Sequence, residues 1–251
     1  MCPIPPSSDD ARWMQRALDL AQAMLGHVWP NPPVGCVIVK NGICVGEGAT
    51  QVGGRPHAER VALERAGDAA RGAVLYVTLE PCCHWGNTPP CVDAIIAAGI
   101  ARVVASMQDP DPRVNGGGFA QLAMAGIAVD VGQNAEDAQH IMAGFLHRVR
   151  TGRPRITLLD EPTDAVPDGE DALLLSRSGL PILVLPAKRV FLDAAPTLVG
   201  EGDVLLRLGA LGLTSIAMHA DDPIVATLRR SMCQESDAVE ADFVRSSEES
   251  L

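Results

Sequence analysis

Apolar residues recur at helical spacing across residues 9–25, at Trp13, Ala17, Leu20, Ala21 and Met24. Asp9 and Asp10 stand where a cap and first-turn acids belong, and Gly26 ends the run. Three prolines within residues 27–33 exclude helix there. Residues 34–40 and 43–48 read as two strands joined by Asn41-Gly42, whose residues suit the positive φ angles of a tight hairpin. Beyond them the pattern predicts a helix at 57–66, a strand at 73–79 and a helix ending at Ala98 before Gly99. A strand at 100–107, a helix at 119–125, a strand at 127–131 and one long helix at 135–150 follow. Such alternation predicts a three-layer α/β/α sandwich built on a mixed five-stranded sheet, occupying residues 1–151.

Residues 152–234 are less regular and predict a small C-terminal α/β domain. Strands are expected at 153–159 and 215–218 and helices at 204–211 and 223–232, with further apolar runs at 172–175, 180–185 and 190–192. Residues 160–171 are acidic, contain two prolines and read as an exposed loop. Residues 235–251 hold six acids and one arginine, and are expected to be disordered.

The 251 residues include 47% hydrophobic and 20% charged positions, enough apolar material for a sizeable core. The net charge of −11 argues against a nucleic-acid partner, since nothing basic is massed to meet a phosphate backbone. No apolar run approaches the ~20 residues of a membrane span, and residues 1–10 lack the features of a secretory signal. A cytoplasmic protein is therefore expected. Its seven cysteines then suggest metal or catalytic chemistry in preference to a disulfide framework, because three of them fall within ten residues.

Those three lie in Pro81-Cys82-Cys83-His84-Trp85-Gly86-Asn87-Thr88-Pro89-Pro90-Cys91, downstream of His57-Ala58-Glu59. A hydrolytic zinc site needs three protein ligands and a position open to water. His57, Cys82 and Cys91 supply one imidazole and two thiols. Cys91 opens a predicted helix, where free N–H groups favour a thiolate, and His57 opens another. Glu59 lies close enough to move protons between water and a leaving amine without binding the metal. A lone His-Ala-Glu or a lone cysteine means little, but the three elements together outweigh chance. Cys83 and His84 compete as ligands; Cys83 points away from its neighbour Cys82 and reads as packing. Trp29 and Trp85 flank the site and either stack on a heterocycle or pack loops.

The segments PNPPVGCVIVKNG (30–42), PHAE (56–59), YVTLEPC (76–82), TPPC (88–91), DAIIAAGIARVVASMQDPDP (93–112) and FLHRVRTG (145–152) resemble the deaminase half of the bifunctional riboflavin-biosynthesis deaminase/reductase family. That family is part of the cytidine-deaminase-like superfamily. The resemblance covers about residues 10–155. It implies zinc held by His57, Cys82 and Cys91, proton transfer by Glu59, and substrate contacts at Asn31, Thr50 and Asn87. It also implies a diaminohydroxyphosphoribosylaminopyrimidine substrate and a homo-oligomer, dimer or tetramer.

The departures lie on the substrate side. Ala49-Thr50 stands where the family has an aromatic and a histidine, and Asn87 where it has Arg or Lys, a partner for the substrate phosphate. Asp111 is a gained acid, and Gly117 replaces an arginine. Arg55 and Arg113 are the cations available to compensate. These changes leave open a different, non-phosphorylated amino-heterocycle as substrate. A non-catalytic zinc-bearing scaffold is the rival from another class, although a scaffold has no need of Glu59. Residues 156–162 lack the lysine and the SLDG-like motif of the reductase, so reductase activity is not expected from this truncated half. Only residues 189–200 are similar to a reductase strand and loop.

Overall fold

The computed structural model describes residues 8–86, 88–177, 180–186, 188–191, 204–232 and 243–245. The chain forms two compact units, one of Met1–Met24 with Asn31–Met142, the other of Leu25–Pro30 with Ala143–Leu251.

The first unit runs α1 (Ser8–Gln22), β1 (Gly35–Lys40), β2 (Ile43–Ala49), α2 (Ala58–Ala66), β3 (Val74–Val77), α3 (Cys91–Ala98), β4 (Arg102–Ala105), α4 (Gly117–Met124), β5 (Ala128–Val131) and α5 (Ala135–Ile141). Its sheet has the order β2-β1-β3-β4-β5. β1 is antiparallel to both β2 and β3, whereas β3, β4 and β5 run parallel. This is the expected mixed five-stranded sheet. Asn41 and Gly42 take φ of 53° and 75°, as the hairpin turn requires.

Alternating strand residues decide which helix covers which face. Gly35 faces α1, for a Cβ there would lie 1.8 Å from the Ala17 carbonyl oxygen. Gly46 faces α2, where a Cβ would lie 2.3 Å from the Ala62 carbonyl oxygen. Only glycine lets α2 press this closely on β2, and at Gly48 a Cβ would lie 2.8 Å from the Ala58 carbonyl oxygen, a contact that fixes the start of α2 beside the sheet. Because β2, β3 and β4 share one direction, the loops that follow them emerge at the same end of the sheet. Ligand sites of open α/β sheets form at such ends.

The second unit comprises α6 (Ala143–Thr151), β6 (Arg155–Leu159), β7 (Ala172–Arg177), β8 (Leu180–Leu185), β9 (Lys188–Phe191), α7 (Val204–Ala210), β10 (Ser215–His219), α8 (Pro223–Met232) and β11 (Phe243–Arg245). The sheet order is β11-β6-β10-β7-β8-β9, with a parallel part and an antiparallel meander at β7-β8-β9. Ile156, Leu174, Leu205, Leu208 and Met218 are buried in its core.

Two expectations need correction. The helix predicted over residues 135–150 is interrupted at Met142, so α5 and α6 are separate helices assigned to different compact units. Each has an apolar stripe, with Ala138 buried in one and Phe145 and Leu146 in the other, and the stripes read as continuous in sequence. Within residues 235–251, expected to be disordered, Phe243–Arg245 forms a strand parallel to β6. The pair Phe243-Val244 supplies β-prone residues that the surrounding acids mask in composition. The other residues of that stretch, and the reductase-like loop at 192–200, lie outside the described residues.

Candidate metal centre and active site

Three loops meet at the carboxyl end of the first sheet. His57 is the residue that caps α2, in extended conformation, and Glu59 lies in the first turn of that helix. Cys82 follows β3 and the sequence Glu80-Pro81. Cys91 opens α3 directly after Pro90, which cannot donate a backbone hydrogen bond and sits well at a helix start. Two helix N-termini thus converge on one point.

Among the described residues, His57, Cys82 and Cys91 form a group of three potential metal ligands whose donor atoms all lie within 4.8 Å of one another. His57 Nδ1 is 3.7 Å from Cys82 Sγ and 3.5 Å from Cys91 Sγ. A four-coordinate ion with zinc-like bond lengths spans sulfur–nitrogen edges of about 3.6 Å, so the donors already stand at ligand spacing. Cys83 is directed elsewhere, its thiol facing the Arg113 carbonyl at 3.8 Å. His84 is likewise outside the group.

Protonation follows from these contacts. The Cys82 thiol is pushed down to about 4, first by its hydrogen bond with Cys91 and then, against the cost of burial, by His57 and the backbone N–H of Cys91. That N–H donates to Cys82 Sγ at 3.3 Å. The helix-start advantage expected for Cys91 is therefore delivered to Cys82. Cys91 is pushed up by its bond to Cys82, by burial and by the nearby Glu59 carboxylate. Without a cation, one sulfur ionises readily and the other resists. A divalent ion supplies the charge that makes both thiolates favourable, so the donor chemistry fits a bound metal. His57 is raised chiefly by its hydrogen bond with Cys82, while burial and, less strongly, the charge of Arg55 oppose it.

Glu59 is 4% exposed. Burial raises its carboxyl, the Cys82 thiolate adds to that, and His57 and a hydrogen bond with Cys91 pull the other way. A buried carboxyl held above its ordinary range beside a metal-ligand cluster is suited to holding and releasing a proton.

The remaining predicted site residues separate. Asn31 Nδ2 donates to the Gly54 carbonyl at 2.7 Å and lies 3.2 Å from His57 Nε2, so it steadies the imidazole from behind. Thr50 is buried; its hydroxyl donates to the Pro32 carbonyl and accepts from Val34 N–H, bracing the loop that carries Asn31. Trp85 stands 73% exposed on the Cys82–Cys91 loop. Trp29 belongs to the second unit and packs against that unit's core. Asn87 lies outside the described residues. Of the gained and lost charges, Asp111 and Arg113 pair with each other.

One important residue was not foreseen. Glu80 is 3% exposed and accepts four backbone N–H bonds, from Asp109 (3.2 Å), Gly116 (2.9 Å), Gly118 (2.9 Å) and Phe119 (3.1 Å). It ties the loop after β4 to the strand end that delivers Cys82. The signal available in sequence was an acid placed at a buried strand end, answered by the amide-rich Gly116-Gly117-Gly118.

Comparison with known proteins gives the same picture. Residues 7–107 match the family described as cytidine and deoxycytidylate deaminase zinc-binding region. The diaminohydroxyphosphoribosylamino-pyrimidine deaminase of Buchnera aphidicola subsp. Acyrthosiphon pisum is 47% identical over 146 residues, covering 58% of this chain and 99% of that protein. This chain belongs to that deaminase family. The riboflavin biosynthesis protein RibD of Escherichia coli (strain K12) is 44% identical over 228 residues, 88% of this chain and 62% of its own length. Against the RibD of Haemophilus influenzae the match spans 41% of that protein, at 53% identity. The chain thus covers only part of these two RibD proteins. Among solved structures, the Thermotoga maritima deaminase/reductase aligns with a TM-score of 0.69 and 28% identity, covering 84% of this chain and 81% of that one. That extent is more than the first unit alone can supply. Acinetobacter baumannii RibD aligns at 43% identity with a TM-score of 0.59, covering 65% of this chain and 48% of its own.

Proposed function

We propose that this chain is a zinc-dependent hydrolytic deaminase of the riboflavin pathway, acting on diaminohydroxyphosphoribosylaminopyrimidine. The observation that carries the reading is the juxtaposition of His57, Cys82 and Cys91 at ligand spacing with the buried carboxyl of Glu59 beside them. When bound by these three residues, zinc supplies Lewis-acid activation of water at neutral pH. The rest falls to the protein. Glu59 takes a proton from the attacking water and passes it to the exocyclic amine, which leaves as ammonia while the ring carbon gains an oxygen. Asn31 holds His57 in place through the contacts at Nε2 and Gly54. Burial raises the Glu59 carboxyl above its ordinary value, which favours its accepting a proton from water.

Ammonia release by zinc-loaded protein tests the reading. Wild type should turn over the phosphoribosyl aminopyrimidine, and Glu59→Gln should cut turnover by roughly 10²- to 10⁴-fold with about one metal still bound per chain. Background ammonia release by metal-loaded wild type on this and other amino-heterocycles would favour the scaffold alternative.

A further inference from the structure

We infer that Arg55 recognises the anionic appendage of the substrate; this rests on the deaminase reading above and names the specificity residue of that same site. A phosphoribosyl substrate brings a phosphate into a chain of net charge −11, and an arginine on the loops around the cluster offers it charge-assisted hydrogen bonds. Two arginines occupy described positions on the loops around the cluster. Arg113 is spent: its Nε and Nη2 both grip the Asp111 carboxylate. An incoming anion would have to displace that carboxylate.

Arg55 is differently placed. It lies two residues before His57, and its Nη1 donates to Thr88 Oγ1 at 2.7 Å. Thr88 in turn lies three residues before Cys91. The guanidinium therefore reaches from the loop bearing His57 to the loop bearing Cys82 and Cys91. Its partner is a neutral hydroxyl, and among the described residues no carboxylate pairs with it. Nη2 lies 3.5 Å from the point a Cβ would occupy at Gly86, so no side chain at that position obstructs the outer edge of the fork. A guanidinium has five N–H donors in fixed geometry; Thr88 orients it with one, and among the described residues no hydrogen bond engages the others, which suit phosphate oxygens. The neighbouring Asn87 brings no charge of its own. Arg55 carries the cation to this loop from the opposite side.

The test compares kcat/KM for the phosphorylated aminopyrimidine and its dephosphorylated counterpart in wild type, Arg55→Ala, Arg55→Lys and Arg113→Ala. Arg55→Ala should lose about 10- to 100-fold on the phosphorylated substrate and less than about 2-fold on the other, with metal content unchanged. Arg55→Lys should recover part of the loss, because it restores charge without the fork. Equal losses on both substrates would show that Arg55 merely braces Thr88, and a selective loss in Arg113→Ala in its place would also overturn the proposal. Binding of both compounds to a Glu59→Gln background, by titration calorimetry, gives an independent reading. If wild type turned over neither compound, the deaminase reading would fail, while selective weakening of phosphorylated-ligand binding by Arg55→Ala would still uphold Arg55, and its absence would reject it.

Discussion

Two buried glutamates in the first unit occupy opposite electrostatic situations. Glu80 sits in a cage of four backbone N–H donors from the loop after β4. Glu59, equally hidden from water, sits beside a thiolate and an imidazole, and burial raises its carboxyl. Seclusion is common to both, so seclusion alone does not mark a reactive group. What differs is how completely the charged form is satisfied. A carboxylate with four fixed donors is an anchor, whereas one whose ionisation is opposed by burial and a nearby thiolate is poised to exchange a proton.

Substitutions can break this contrast. On the proposed zinc reading, the largest effect is expected in the His57–Cys82–Cys91 cluster: Cys91→Ser should lower bound metal well below one per chain and take turnover to background, as should exhaustive chelation of wild type. Glu59→Gln comes next. General acid–base catalysis contributes roughly 10²- to 10⁴-fold, so kcat should fall by that order. Thermal stability should hold or rise, since an amide need not be ionised in an apolar setting. A stability loss like that of Glu80→Gln would erase the distinction between the two residues.

Glu80→Gln should act in the other direction. The amide keeps one acceptor oxygen and turns an NH2 group toward donors that need an acceptor. Leaving one buried and one partly buried N–H group unmet costs about 2 to 4 kcal/mol in stability. Amides of residues 109–119 should exchange hydrogen faster, and KM should change more than kcat, because the loop and not the proton relay is disturbed. A kcat collapse with unchanged stability would place Glu80 in the chemistry.

How legible this was depended on whether the decisive contacts were local. The first sheet was readable because Asn41-Gly42 dictates its hairpin and short apolar strands alternate with capped helices. The clustering of His57, Cys82 and Cys91 was readable because one imidazole and two thiols at this spacing have a chemistry that few other combinations share. Glu80 escaped because its partners are backbone amides 29 to 39 residues away, and backbone amides carry no sequence label. Trp29 was undecided for a related reason: its sequence left both stacking and packing open, and its packing on the second unit's core rests on residues far from it in sequence. The break at Met142 was hidden because both α5 and α6 need an apolar stripe, and nothing in their periodicity says that the stripes serve different cores.

Asp109 offers the finest test of the same contrast, because it lies on the loop that Glu80 anchors. Its Oδ1 accepts from Asp111 N–H at 2.9 Å, yet burial, with Asp111 and Glu80 nearby, pushes its carboxyl up to about 6. In the unfolded chain the group titrates near ~3.9. Between those two values the folded form binds more protons than the unfolded form. Its contribution to stability is therefore whole below about pH 4 and is lost as pH rises through about 6. The full shift corresponds to roughly 3 kcal/mol, and relaxation of the partly solvated loop reduces the expected loss to about 2 kcal/mol. Asp109→Asn keeps the acceptor for Asp111 N–H and cannot ionise. Comparing denaturant unfolding of wild type and variant at pH 4 and pH 7 should show the variant gaining about 2 kcal/mol relative to wild type at the higher pH. Parallel curves for the two proteins would mean that the loop already satisfies the Asp109 carboxylate as fully as it does that of Glu80.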